Sequence, residues 1–302
     1  MRNSERGPAA WLLWLLALVP TVYGASQPAA LRPAVPRAAI PEILEAFKSR
    51  SFVALGELHG HRERRDFLHT LVAAPGFASV VNDIVIELGD SAHQSLMDRF
   101  VAGEDIPLES LRRIWRDTTQ QQAARSDLPE LFQVVRRVNS ALPKSRQLRI
   151  LLGEPPVDQD HAHGDDLSQL RGKPASDRDR FVARLLEREV VQRHRRALLT
   201  FGAGHLVRKA STHSLVTLLE TNGAKVFNIW TNVRSLSSIQ SDADGWPQPS
   251  LVHVADTKLG TIDLFSFFPS TVFSIPAGWR APLQDQFDAL LYLGATTTFD
   301  FR

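Results

Sequence analysis

The sequence predicts an α/β protein in which helices cover both faces of a mostly parallel sheet. Short apolar runs recur along the chain, and segments with helical periodicity separate them. Parallel neighbours need a crossover connection, and strands buried on both faces are apolar throughout. A chain of 302 residues with 43% hydrophobic side chains fits one medium-sized domain, or at most two. Because we find no internal boundary and no repeat, we predict a single domain.

Strand-like and helix-like segments alternate after residue 50. Two amphipathic helices are predicted, over residues 63–74 and 177–193. Asp127 with Glu130 three residues later resembles a capping box, and Ser91 can cap the helix that follows it. The apolar runs with strand character are 51–55, 83–87, 148–152, 197–201, 225–230 and 289–293.

The N-terminus is typical of an exported protein. Arg2 and Arg6 precede an apolar run over residues 11–19, and small residues follow it. The run is shorter than the roughly 20 residues that cross a bilayer. We therefore predict a cleaved signal peptide, with the cut after Gly24 or after Ala30, and no stable membrane anchor after cleavage.

This leader divides the chain into three parts. Residues 1–24 are the signal peptide, residues 25–40 an Ala/Pro-rich lead-in, and residues 41–302 the α/β domain. Loss of the leader changes the net charge from +2 to +1. A nearly neutral protein indicates no nucleic-acid or anionic-membrane partner. We expect a secreted or periplasmic location.

Several kinds of chemistry are excluded by what the chain lacks. Without cysteine there is no thiolate nucleophile, thiolate metal site, iron–sulfur cluster or disulfide. The sequence also has no Gly-x-Ser-x-Gly elbow, Walker-type loop, His-Glu-x-x-His motif or complete dinucleotide fingerprint. Catalysis must come from His, carboxylate, hydroxyl or basic side chains.

Acids and histidines end or follow four of the predicted strands. They are Glu57 and His59 after the first run, Glu87 at the end of the second, Glu154 after the third and His205 after the fourth. In open α/β sheets ligands bind outside the carboxyl ends of the strands. Charges that continue buried strands are costly unless they are paired, ligated or solvated. We predict Glu57, His59, Glu87 and His205 as catalytic, although a structural role is nearly as common for a histidine such as His205.

Two further acids are predicted to bind substrate. Glu63 lies one helical turn after His59, although a solvated acid favoured by the helix dipole is the alternative. Glu154 precedes two prolines, and its alternative role is to shape a turn. His161 and His163 have the spacing of metal ligands, but they lie in a polar loop and are expected to be solvated.

The segment Gly56-Glu57-Leu58-His59-Gly60-His61-Arg62-Glu63 resembles the signature of the superfamily that joins erythromycin esterases, ChaN-like haem-binding proteins and TIKI/TraB-type proteins. Five later segments agree with it in order: 84–87, 100–103, 135–139, 202–206 and 287–292. The resemblance implies a central sheet with flanking helices. It matches Glu57, His59, Glu87 and His205 to functional positions, and Glu63 to the acid that follows the histidine in esterases.

The leading functional hypothesis is an exported hydrolase of esters, lactones or amides in small molecules or peptides. His59 would act as general base on water, and Glu57 and Glu87 would orient it. His205 would stabilise developing charge or protonate the leaving group. This chemistry needs no cofactor.

Three alternatives stay open. The same four side chains suit a metal-dependent hydrolase or peptidase of TIKI type with Zn, Mn, Fe or Co. A ChaN-like protein would bind haem or an iron compound through His59, His61 or His205; the resemblance implies a tyrosine ligand, and the mature chain has only Tyr292. The last alternative is an inactive protein in which the acids and histidines at the strand ends are capped and hydrated. The oligomeric state is left open.

Overall fold

A sheet of eight strands organises the part of the chain that the structure describes. The computed structural model describes residues 30–57, 60–116, 128–156, 175–209, 213–231, 243, 245–266 and 280–294. The strands are β1 Pro36–Ala38, β2 Phe52–Glu57, β3 Asp83–Asp90, β4 Arg149–Glu154, β5 Ala197–Gly202, β6 Val226–Thr231, β7 Ser250–His253 and β8 Ala289–Tyr292. Their order in the sheet is β1-β7-β8-β6-β2-β5-β3-β4.

The centre of the sheet is parallel, which confirms the predicted fold class. β2 pairs in parallel with β5 and β6, β3 with β4 and β5, and β6 with β8. Only β7 with β8 and β1 with β7 pair antiparallel among the described strands. All six runs predicted as strands are strands, because each is an apolar segment buried on both faces.

The sequence did not predict β1 and β7. β1 lies within residues 25–40, the segment expected to be a loose lead-in. Both strands are short, and β1 is mostly exposed. Pairing with a neighbouring strand, and not an apolar run of their own, fixes them at the edge of the sheet.

Nine α-helices flank the sheet in the described residues. They are α1 Ala39–Ala46, α2 Arg62–Ala73, α3 Phe77–Val80, α4 Gln94–Val101, α5 Leu108–Arg116, α6 Leu128–Ser140, α7 Ala175–Leu186, α8 Leu215–Thr221 and α9 Leu283–Gln286. Both predicted amphipathic helices are present, as α2 and as α7 with the π-helical segment Glu187–Val191 that continues it. None of the described helices is long and apolar enough to span a membrane.

One predicted helix cap is wrong. Ser91 lies inside a short 3₁₀ turn, Ser91–His93, that precedes α4. The residue before it, Asp90, caps this turn, because its side chain accepts a hydrogen bond of 2.8 Å from the amide of Ala92. Asp127, the other predicted cap, lies outside the described residues, as do the predicted signal peptide, His161 and His163.

Two hydrophobic cores lie on opposite faces of the sheet. One contains Val53 and Leu55 of β2 and packs under α1, α2 and α4–α6. The other contains Phe52 and Ala54 and packs under α7 and α8. Since side chains alternate along a strand, Glu57 shares the face of Val53 and Leu55. Glu87 instead shares the face of Val85, which belongs to the second core.

Candidate functional site

The carboxyl ends of four neighbouring parallel strands meet at one edge of the sheet. In sheet order they are β2, β5, β3 and β4. Glu57 and Glu154 are the last residues of β2 and β4, His205 lies three residues after the end of β5, and Glu87 lies three residues before the end of β3, which is longer than predicted. The parallel topology therefore brings four of the predicted site residues to the same edge. His59, which follows β2 in the sequence, lies outside the described residues.

His205 is held between two carboxylates. β5 ends at Gly202, and the 3₁₀ turn Ala203–His205 carries the histidine away from the strand. Its Nδ1 lies 2.6 Å from Oδ1 of Asp179 in α7, and its Nε2 lies 3.2 Å from Oε1 of Glu87. Only 12% of the imidazole side chain is exposed. Both ring nitrogens thus face acids in a place with little water.

These neighbours keep His205 positively charged. Burial disfavours the imidazolium, but the charge of Glu87 and the hydrogen bonds from Asp179 and Glu87 outweigh it and raise the pKa of His205 to about 10. Burial also raises the pKa of Asp179, against the lowering effect of His205 and Arg178. In an exposed ion pair the pKa of the base rises and the pKa of the acid falls. Here both pKa values rise, because burial removes the water that would stabilise the charged carboxylate of Asp179. We assign the imidazolium, since two carboxylates contact the ring.

Arg178 and the backbone hold Glu87 in place. Oε1 of Glu87 lies 3.1 Å from Nη2 of Arg178, and its Oε2 accepts a bond of 2.6 Å from the amide of Gly202. The same Nη2 lies 2.9 Å from Oε2 of Glu154, which is fully buried. We call Glu87, Glu154, Arg178, Asp179 and His205 the His205 cluster. It contains three carboxylates and two cations.

Glu57 lies in a different group. Its Oε2 is 2.7 Å from Nη1 of Arg64, which belongs to α2, the helix that follows β2. The side chains are 13% and 9% exposed. We call these two residues the Arg64 pair. The structure therefore brings Glu87, Glu154 and His205 together, and it places Glu57 on the face of the sheet that α2 covers.

Glu63, the other acid predicted to bind substrate, lies in the first turn of α2 and is half-buried. Glu154, predicted for the same role, lies within the His205 cluster, where it binds Arg178.

Sequence reasoning missed three charged residues of these groups: Arg64, Arg178 and Asp179. Asp179 precedes Val182 and Leu186 by three and seven residues, so it lies on the apolar stripe of its helix. Arg64 likewise lies on the apolar stripe of α2, because it precedes Leu68 and Leu71 by four and seven residues. A charged side chain on an apolar stripe needs a buried partner, and this signal was present in the sequence.

The residues named for metal or haem binding are only partly described. Within the described ranges, no group of three or more His, Asp or Glu side chains is arranged to hold a metal ion. Tyr292 lies buried in β8, with its ring edge-on to Trp246 at a centroid distance of 5.5 Å.

Comparison with known proteins relates this chain to others by fold. No protein-family model and no curated protein matches it. A solved structure of a succinoglycan biosynthesis protein superposes with a TM-score of 0.53 at 12% identity, covering 88% of this chain and 95% of the other. A Bacillus cereus protein superposes with a TM-score of 0.52 at 10% identity, covering 89% and 97%. These likenesses show a shared fold.

The ChaN protein of Campylobacter jejuni, solved with cofacial haem, is more distant. Its TM-score is 0.40 at 15% identity, and the match covers 65% of this chain and 87% of that one. A likeness at this level carries no argument about function.

Proposed function

We propose that the protein is a hydrolase that cleaves an ester, lactone or amide bond in a small molecule or peptide. The observation that supports this proposal is the charged His205, held between Asp179 and Glu87 at the carboxyl ends of parallel strands. A fixed cationic donor with little exposure to water is suited to stabilise negative charge that develops during a reaction.

In such a hydrolysis, water attacks the carbonyl carbon and negative charge develops on the carbonyl oxygen. The bond to the leaving oxygen or nitrogen then breaks, and the leaving group takes up a proton. The contact of Nε2 with Glu87 is 3.2 Å long, against 2.6 Å for Nδ1 with Asp179. Nε2–H is therefore the donor that passes more readily to a substrate oxygen or leaving group, while Asp179 orients the ring.

His205 does not serve as the general base in this proposal. With a pKa of about 10, its ring carries both protons at neutral pH. The proton from water goes instead to His59, an assignment that rests on the sequence, because His59 lies outside the described residues. Glu57 binds Arg64, so its action on His59 also stays a prediction.

A panel of ester, lactone and amide substrates tests this function. His205→Gln should lower kcat about 10²- to 10⁴-fold, the usual contribution of acid–base assistance. For wild-type protein on a base-stable amide, kcat/KM should fall above pH about 10, where His205 loses its proton. Asp179→Asn should move this fall to lower pH, because it removes one of the charges that raise the pKa of His205.

A matched control is another carboxylate–imidazole contact, Glu42 to His253 at 3.4 Å, which is far more exposed. Glu42→Gln should leave both the rate and its pH dependence unchanged. Absence of turnover by the wild-type protein across the panel, or an alkaline limb that Asp179→Asn does not move, would contradict the proposal.

A further inference from the structure

Arg64 differs from the other well-buried arginines in the number of carboxylates that it contacts. Four arginines with side-chain exposures of 12–28% each contact two acids. These are Arg65 with Asp66 and Glu130, Arg149 with Asp98 and Glu189, Arg178 with Glu87 and Glu154, and Arg208 with Glu220 and Asp288. Arg64 is only 9% exposed, and Glu57 is the one carboxylate that it contacts among the described residues.

The donors that remain on Arg64 form one edge of its guanidinium. Glu57 binds Nη1, whereas Nε and Nη2 are both buried and have no hydrogen-bond partner within the described residues. Nε–H and an Nη2–H point in parallel and match the two oxygens of a carboxylate or phosphate. Burying such charged donors without an acceptor is costly.

In two other arginines of this molecule, a carboxylate binds the edge formed by Nε and Nη2. Nε and Nη2 of Arg149 donate to the two oxygens of Asp98 at 2.9 and 3.0 Å. Those of Arg195 donate to the two oxygens of Asp83 at 2.6 and 2.7 Å. A carboxylate at the corresponding position on Arg64 would complete a geometry that the fold already uses.

The surroundings of Arg64 favour a further anion only moderately. Arg64 lies in the first turn of α2, a helix of 12 residues, where the amides carry partial positive charge. The charge of Glu57 is balanced by Arg64 itself, but Glu63 in the same turn opposes a second negative group. Both free nitrogens are out of contact with solvent, so neighbouring side chains must move to admit a ligand.

We propose that the Nε–Nη2 edge of Arg64 binds a carboxylate or phosphate group of the substrate. This inference rests on the proposed hydrolase function, because it assigns the bound anion to the substrate of that reaction. Glu57 lies opposite Gly202 of β5, and Glu87 belongs to the next strand. At about 4.8 Å between neighbouring strands, the backbones of Glu57 and Glu87 lie about 10 Å apart. The substrate would therefore carry its anionic group several bonds from the bond that is cleaved.

Binding of simple probes to the full chain tests this site without any turnover. We expect benzoate or phenyl phosphate to bind the wild-type protein, measured by calorimetry, and benzamide, the neutral counterpart of benzoate, not to bind. Arg64→Gln should weaken binding of the anion about 10- to 100-fold, the usual effect of losing hydrogen bonds to a charged group. Arg64→Lys should recover part of it, since a lysine supplies the charge without the parallel donors.

Three further variants make the result specific. Arg149→Gln removes a comparable arginine elsewhere and should leave anion affinity unchanged. His205→Gln should also leave it unchanged, which separates this site from the proposed catalysis. Glu57→Gln should tighten binding of the anion, and it serves as the test if Arg64→Gln does not fold.

The outcomes distinguish this proposal from the hydrolase. No anion binding by the wild-type protein, equal binding of benzamide and benzoate, or unchanged affinity in both Arg64→Gln and Glu57→Gln would overturn the Arg64 site. Anion binding that depends on Arg64 in a protein without turnover would support the site and contradict the hydrolase. The ratio of the benzoate and phenyl phosphate affinities tells whether a carboxylate or a phosphate is preferred.

Discussion

Two charged groups share one edge of the sheet, and they are balanced in opposite ways. The His205 cluster places three carboxylates around two cations on the face that α7 covers. The Arg64 pair, under α2, has one carboxylate for a guanidinium that has donors to spare among the described contacts. An excess of carboxylates retains protons, whereas an excess of donors attracts an anion. The same edge of the sheet thus carries one group suited to hold protons and another suited to bind an anion.

The largest expected difference between the two groups is in stability. Arg178→Met leaves Glu87 and Glu154 buried beside Asp179 and should lower the free energy of unfolding by about 3–5 kcal/mol. Arg64→Met leaves only Glu57 and should cost less. Urea unfolding at neutral pH measures both values.

A control for this comparison lies on the same helix as Arg178. Arg180 pairs with Asp177 and is 44% exposed, so Arg180→Met should change the free energy of unfolding by less than about 0.5 kcal/mol. Equal losses for Arg178→Met and Arg64→Met would show that the two groups are not balanced differently.

The next expected effect is the dependence of stability on pH. The pKa of His205 rises from 6.5 to about 10 on folding, so the stabilisation is fully present below pH 6.5 and is lost as the pH rises to about 10. The raised pKa of Asp179 acts in the same direction over a window that begins at its ordinary pKa of 3.8, because the folded state again binds more protons.

The free energy of unfolding should therefore fall by a few kcal/mol across this pH window in the wild-type protein. It should fall much less in His205→Gln. Arg64→Gln should keep most of the wild-type slope, because it leaves His205 and both of its carboxylate partners in place. A flat wild-type profile, measured by urea unfolding at several pH values, would mean that His205 is neutral in the folded protein.

The smallest expected effect concerns coupling between the two groups. Glu57→Gln removes a negative charge about 10 Å from Glu87, and at the effective dielectric constant of about 20 that suits buried groups this should lower the pKa of His205 by no more than about 1. Titration of the ring followed by NMR measures it. A much larger change would show that the two groups form one electrostatic site.

The sequence predicted the centre of the fold better than its edges. The six long apolar runs became the parallel strands because burial on both faces leaves a visible pattern. β1 and β7 have no such pattern, since their pairing with neighbours and not their own composition holds them in the sheet.

The candidate site was predictable to a similar degree. Glu87 and His205 could be placed at a common edge because parallel strands align their carboxyl ends. Their partners Arg178 and Asp179 come from a helix near the middle of the chain, and the spacing of these residues from Glu87 carries no sign of contact.

The sequence by itself determined that acids and a histidine would follow buried strands, because covalent order fixes what comes after each apolar run. Only the tertiary structure decided which partner each charge received. Helix packing placed Arg64 on one face and Arg178 with Asp179 on the other, and strand alternation directed Glu57 to the first and Glu87 to the second. A pKa or a free donor depends on such neighbours, which lie close in space and far apart along the chain.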